Sequence, residues 1–136
     1  RPSRPRKRYV PKPAGRPIFA TMHRDLIVPA YSALSALQLS TDADALCTAR
    51  HTLASLLDVG YLALDKRGRE TKPVADGLAA LLAVIERHKR TGAWRASGPE
   101  LESLRAAVRH IDDQLPTLQT SDIVSAVGVA VKEFAL

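Results

Sequence analysis

The chain has 136 residues, 20 Lys/Arg against 14 Asp/Glu for a formal charge of +6, 46% hydrophobic but only 4% aromatic residues, and one cysteine. That length accommodates one domain with a core of its own, and the lone Cys47 excludes an intramolecular disulfide and reads as a small buried apolar residue in a reducing compartment. No apolar run approaches the about 20 residues needed to span a bilayer, and prolines and charges stand where a signal peptide needs its apolar stretch; a cytoplasmic protein without a membrane partner is expected, in a sequence that does not begin with Met and so allows residues ahead of Arg1.

The charge is not spread evenly. Residues 1–18 hold Arg1, Arg4, Arg6, Lys7, Arg8, Lys12 and Arg16, five prolines and no acid. The other 118 residues hold 13 Lys/Arg against 14 Asp/Glu, a net charge of −1. Proline fixes φ, removes an amide donor and pushes the residue before it toward extended geometry. Residues 1–18 therefore read as an extended, polyproline-like basic arm that orders on a partner, and residues 19–136 as a separate domain. Seven cations on phosphates give a salt-dependent, sequence-independent affinity, and Tyr9 beside Arg6, Lys7 and Arg8 reads equally as a residue that stacks on a base or as an anchor that packs against the bundle. Pro13-Ala14-Gly15-Arg16-Pro17 resembles the core of the minor-groove AT-hook, Pro-Arg-Gly-Arg-Pro, and departs from it at Ala14, where the first groove-inserting Arg belongs. An acidic protein surface is the competing partner for such an arm.

The body is rich in Leu and Ala, which lose little rotamer freedom in a helix. Thr21 caps a first helix reaching about Gln38, with Leu26, Ala30, Ala33, Leu34 and Leu37 on one face and Pro29 as a kink or a break. Thr41 and Asp42 cap a second, whose stripe is Leu46, Leu53, Leu57, Gly60 and Leu64 and whose stop is Gly68. His51, Ser55 and Asp58 share a face of it, but one helix cannot aim three side chains at one reacting atom, so they read as a solvated face. Lys66, Arg67, Arg69 and Lys72 form a basic link before a third helix, which opens near Pro73, carries Val74, Leu78, Leu81, Leu82 and Ile85, and closes on Arg87-His88-Lys89-Arg90, cations suited to a helix C-terminus. Ser97, Pro99 and Glu100 have the spacing of a capping box for a fourth helix. Its seam, Leu101, Leu104, Val108, Ile111 and Leu115, suits a bundle interior or a partner helix. Arg105 and Arg109 lie off that seam, and Trp94 reads as a half-buried anchor. Thr120-Ser121-Asp122 starts a last helix with Ile123, Val127, Ala130 and Phe134 on one face.

Short connections favour antiparallel neighbours. The expected fold is all-α, an antiparallel helical bundle of four to five helices preceded by the extended basic arm. Chain direction then puts the arm and the link 66–72 at one pole, and Arg87, Lys89, Arg90, Trp94 and Arg95 at the other. The candidate nucleic-acid-binding residues are Arg1, Arg4, Arg6, Lys7, Arg8, Tyr9, Lys12, Arg16, Lys66, Arg67, Arg69 and Lys72.

Chemistry-bearing motifs are absent from the sequence. His23, His51, His88 and His110 are scattered, and there is no HExxH, no paired CxxC, no glycine-rich phosphate loop and no nucleophile elbow. His110 and Asp113 read as an i,i+3 surface pair, and Asp112-Asp113 as carboxylates that diverge. No metal, cofactor or catalytic site is expected.

The run Arg6-Lys7-Arg8-Tyr9, then Pro11-Lys12-Pro13, a helical body and Ile111-Asp112-Asp113 resembles a group of small uncharacterised proteins of β-proteobacterial prophages and related mobile DNA. The resemblance attaches no activity; it implies an accessory or regulatory protein of phage type that binds DNA or RNA, or that docks on a host or phage protein complex with the arm as an electrostatic tether. A homodimer through the Leu101–Leu115 seam or the Ala/Leu-rich faces is a further expectation.

Overall fold

A computed structural model describes residue 18 and residues 20–134, with side chains to residue 132. Every regular element among them is helical: α1 (Ala20–Leu39), α2 (Ala43–Lys66), α3 (Lys72–Thr91), α4 (Gly98–Gln114), a single 3-10 turn (Leu115–Thr117) and α5 (Thr120–Phe134). The all-α expectation holds. The basic arm, and the side chain of Phe134, lie outside the described residues.

Local chemistry sets the helix ends. Asp42 caps α2 by accepting from the Asp44 amide at 3.2 Å. At the other end Gly68 takes φ +66°, a left-handed conformation open to glycine without a Cβ penalty. The Gly68 amide then donates to Asp65 O (3.0 Å) and the Arg69 amide to Leu64 O (2.9 Å), closing the paired bonds of a Schellman stop. Ser97 and Glu100 form both bonds of the capping box, Glu100 N to Ser97 Oγ at 3.3 Å and Ser97 N to Glu100 Oε1 at 2.8 Å. Pro29 does not break α1, which runs through it. The backbone bond that Pro29 cannot donate lies on an exposed side of the helix.

Helix α2 is central, packing against α1, α3, α4 and α5, while α4 closes against α1 and α3. Its buried side accordingly wraps round, with Leu46, Ala49, Leu53, Leu56, Leu57, Ala63 and Leu64 all in the core. Helices α3 and α4 approach most closely where both present small residues. Gly77 faces Ala107 so tightly that a Cβ on residue 77 would overlap the Ala107 methyl. Gly60 similarly receives Ile111, whose Cδ1 would lie 2.5 Å from an added Cβ.

The fourth-helix seam takes the interior role, one of the two its spacing allows: Leu104, Val108, Ile111 and Leu115 are buried and Leu101 is half-buried, which leaves no seam for a dimer. Two other faces differ from the sequence reading. On α3 the core side is Val74, Gly77, Ala80, Leu81 and Val84, which leaves Leu82 exposed. On α5 the core side is Asp122, Ile123 and Ala126, while Val127 faces out. A carboxylate at position 122 is buried by an ion pair that hydrophobic periodicity does not register. Cys47 is half-buried instead of fully enclosed.

Candidate nucleic-acid interface

One end of the helix assembly gathers the start of α1, the end of α2, the start of α3 and the end of α4, and three contacts fix it. His23 on α1 lies 2.5 Å through Nε2 from Asp112 Oδ1 on α4, and the Tyr31 hydroxyl donates to Asp112 Oδ2 at 3.1 Å. The Tyr31 phenol is raised above its ordinary pKa, by desolvation first and by its bond to Asp112 second. His110 donates from Nε2 to Glu70 O at 2.7 Å across the α2–α3 link. This replaces the expected surface pair with Asp113. Asp112 turns inward to α1 while Asp113 stays exposed, the expected divergence of the adjacent carboxylates.

The third contact engages the candidate binding residues themselves. Arg67 donates from Nε to Asp122 Oδ2 at 2.8 Å and from Nη2 to Gln119 Oε1 at 2.7 Å. The Gln119 amide donates to the same Asp122 oxygen at 2.9 Å. Asp122 is fully buried, and its Oδ1 accepts no hydrogen bond, with Lys66 Nζ 4.0 Å away. Desolvation pushes the Asp122 carboxyl up, but the Arg67 bond, the Gln119 amide and the charges of Arg67 and Lys66 outweigh it and hold it below its ordinary value. Lys72 pairs with Asp76 at 2.9 Å in an exposed i,i+4 bridge. Arg69 is exposed, next to the exposed Glu70.

The structure thus brings Lys66, Arg67, Arg69 and Lys72 to the end where residue 18 enters α1, and sets carboxylates against three of them, Arg67 and the more distant Lys66 at the buried Asp122 and Lys72 at Asp76 in an exposed bridge. Asp25, Asp65, Glu70, Asp76, Asp112 and Asp113 stand at the same end, so the described surface there is mixed in charge. Arg1, Arg4, Arg6, Lys7, Arg8, Tyr9, Lys12 and Arg16 lie outside the described residues.

The opposite end is built around Glu100. Arg87 meets it with both terminal nitrogens, at 2.8 and 2.7 Å, and also donates to Arg95 O at 2.6 Å. The Arg87 bonds, assisted by the Ser97 amide, lower the Glu100 carboxyl to about 2 against desolvation. Trp94 is half-buried against the core, stacked on His88 with ring centroids 3.6 Å apart, with the Arg50 guanidinium 5.9 Å from its ring. That is a packing anchor with cation–π support. Beside it a cleft runs between the α1–α2 and α3–α4 connections, lined by Gln38, Ser40, Thr41, Trp94 and Arg95. Arg105 reaches Gln38 at 2.6 Å, bracing α4 to α1. His51 and Ser55 are exposed on α2, and His51 Nε2 accepts from Arg50 Nη1 at 3.1 Å.

Two features escaped sequence reading. The Arg67–Asp122 pair spans 55 positions, and Asp122 looked like an ordinary helix-start residue. The outward valines of α5 were visible as valines, but the turn of that helix was not. Among the described residues no group of three or more His, Cys, Asp or Glu is placed to hold a metal ion, and no helix is long and apolar enough to cross a membrane. No family model, curated protein or solved structure matches this chain.

Proposed function

We propose that the chain is a non-enzymatic nucleic-acid-binding protein of accessory or regulatory type, in which an antiparallel helical bundle carries a basic arm that lies along phosphate backbone. The observation that carries this reading is the segregation of charge: seven cations and no acid in residues 1–18 against a net −1 in the remainder. The pairing of Arg67 with Asp122 and of Lys72 with Asp76 concentrates the role further on the arm, because those two cations already have carboxylate partners. Arg69 and Lys66 add to the field at the same end. Phosphate contacts of this kind bind generally and give steep salt dependence. Gel-shift titration of a random-sequence duplex and a single strand over a series of salt concentrations tests the reading. Salt-dependent binding that disappears on deleting residues 1–18 supports it; binding that ignores salt, or that survives the deletion, defeats it.

A second reading is a module that docks on an acidic face of a host or phage protein complex, with the arm as tether. The exposed valines of α5 favour it, since phosphate binding gives them no task. Complex formation that persists after nuclease treatment, and is lost both on arm deletion and on Val131→Lys, selects this reading over the first.

A further inference from the structure

The cleft between the α1–α2 and α3–α4 connections has a volume of about 470 Å³, within the range of small-molecule sites. Contacts already made hold both of its walls. Arg87, locked to Glu100 through both terminal nitrogens, also takes Arg95 O at 2.6 Å, and Trp94 stacks on His88, so the α3–α4 connection is fixed. On the facing wall Ser40 Oγ accepts the Asp42 amide at 3.1 Å, and Arg105 holds Gln38 Oε1. Those contacts occupy acceptors and leave donors over. The Arg95 guanidinium is exposed and has no carboxylate partner among the described residues, the Thr41 hydroxyl has no partner among them, and Gln38 keeps its amide nitrogen to donate. Arg95 is the one charged side chain lining the cleft. Asp42 turns its carboxylate to the Asp44 amide as the cap of α2, and Asp44 lines a different groove, between α1 and α2. Below the polar groups the lining is apolar, with Leu37 and Leu46 both buried.

We propose that this cleft binds a small carboxylate with an aliphatic tail, its head on Arg95 and its chain over Leu37 and Leu46. A guanidinium presents two parallel N–H groups that match a carboxylate, and Gln38 and Thr41 offer further donors from the other wall. One cation balances one negative charge, which favours a carboxylate over the dianion of a phosphate monoester. A flat aromatic ligand gains less, because His88 already covers one face of the Trp94 ring and the Arg50 guanidinium lies 5.9 Å from it. Since the ligand touches both connections in the folded chain only, occupancy also raises Tm. The cleft lies at the end opposite the arm, so the site goes beyond the nucleic-acid reading and does not depend on it.

Trp94 is the only tryptophan in the sequence, so its fluorescence reports on the cleft. The full chain is titrated with acetate, butyrate, hexanoate and octanoate to about 50 mM at constant ionic strength, with hexanamide as the neutral control and inorganic phosphate as the anion without a tail. Saturation by hexanoate in the millimolar range is expected, with affinity rising about two- to fourfold per methylene and hexanamide about tenfold or more weaker. Amide shifts in a ¹⁵N spectrum should cluster in residues 37–46 and 92–96. Arg95→Gln changes an exposed side chain, so circular dichroism and the ligand-free Tm should stay near wild type while hexanoate affinity falls about tenfold or more. The proposal is overturned by the absence of a saturable response, by hexanamide or phosphate binding as tightly as hexanoate, by shifts centred elsewhere, or by Arg95→Gln binding like wild type. Deleting residues 1–18 should leave hexanoate affinity unchanged, and its loss would move the anion to the arm and overturn the site. Hexanoate binding by a chain that ignores nucleic acid ends the proposed function alone; arm-dependent nucleic-acid binding with an unresponsive cleft ends only the cleft.

Discussion

Arg67 and Asp122 join the end of α2 to the start of α5 through a 2.8 Å bond from Nε to a fully buried carboxylate oxygen. A residue that sequence reading assigned to phosphate thus has a structural occupation. The same carboxylate orders the α5 start by accepting the Gln119 amide, so one buried acid serves as a cap and as an ion-pair partner.

Removing one partner of such a pair leaves the other charge uncompensated. Arg67→Ala should therefore destabilise the protein by about 2–4 kcal/mol and loosen α5 first, measured as a drop in denaturant midpoint and faster amide exchange in residues 120–134. Arg67→Lys should recover only part of the loss, because a point charge cannot serve Asp122 and Gln119 from two fixed nitrogens. Equal stability of Arg67→Ala and wild type would show that the pair does not hold α5.

The same geometry separates arm from link in binding. With all seven arm cations on phosphates, log affinity for duplex DNA should fall against log salt with a slope of about −6. Deleting residues 1–18 should bring that slope close to zero, whereas Lys72→Ala, already paired with Asp76, should change it by less than about one. Salt titrations of the three proteins by fluorescence anisotropy read both numbers. A link variant that matched the deletion would move the interface to the body.

The helices were legible because their signals are local. Ser97 with Glu100, Gly68 after Lys66 and the 3-4 spacing of Leu104, Val108 and Ile111 each act within a turn or two, and each appears where its residues place it. What sequence could not supply is which side of a helix a tertiary partner claims. On α5 apolar spacing put Val127 on the core face with Ile123, whereas the helix is turned so that Asp122, paired with Arg67, is buried and Val127 faces out. Likewise Leu82 is exposed because α3 presents Gly77 to Ala107 of α4, where small residues let the backbones close and a leucine would not fit. The candidate site is legible only as a charge pattern, since the residues that carry it lie mostly in the arm.

Glu100 makes a pH prediction with a definite sign. Its carboxyl is lowered from 4.5 to about 2 in the folded state, chiefly by the Arg87 bonds. A depressed folded value means the stabilisation is fully present above the unfolded value and is lost as pH falls from about 4.5 toward about 2. Glu100→Gln should therefore lower stability at pH 7 by about 2 kcal/mol and flatten the acid limb in that window. Urea denaturation of both proteins between pH 7 and pH 2 checks the difference; parallel curves would show that Glu100 contributes nothing specific.

Two glycines should answer the same substitution with opposite signs. Gly77 lies mid-helix against Ala107, whose methyl sits on a stiff backbone and cannot swing aside, so Gly77→Ala should force α3 and α4 apart and destabilise by about 1–3 kcal/mol despite its better helix propensity. Ala107→Gly in the same molecule should restore much of the close approach. Gly128 faces open space on α5, so Gly128→Ala meets no steric penalty and should stabilise by about 0.5–1 kcal/mol through reduced unfolded-state freedom and improved propensity. Thermal denaturation of the two single variants and the Gly77→Ala/Ala107→Gly pair measures this. A neutral Gly77→Ala would mean that the α3–α4 contact has slack, and that the small residues there are not what sets its spacing.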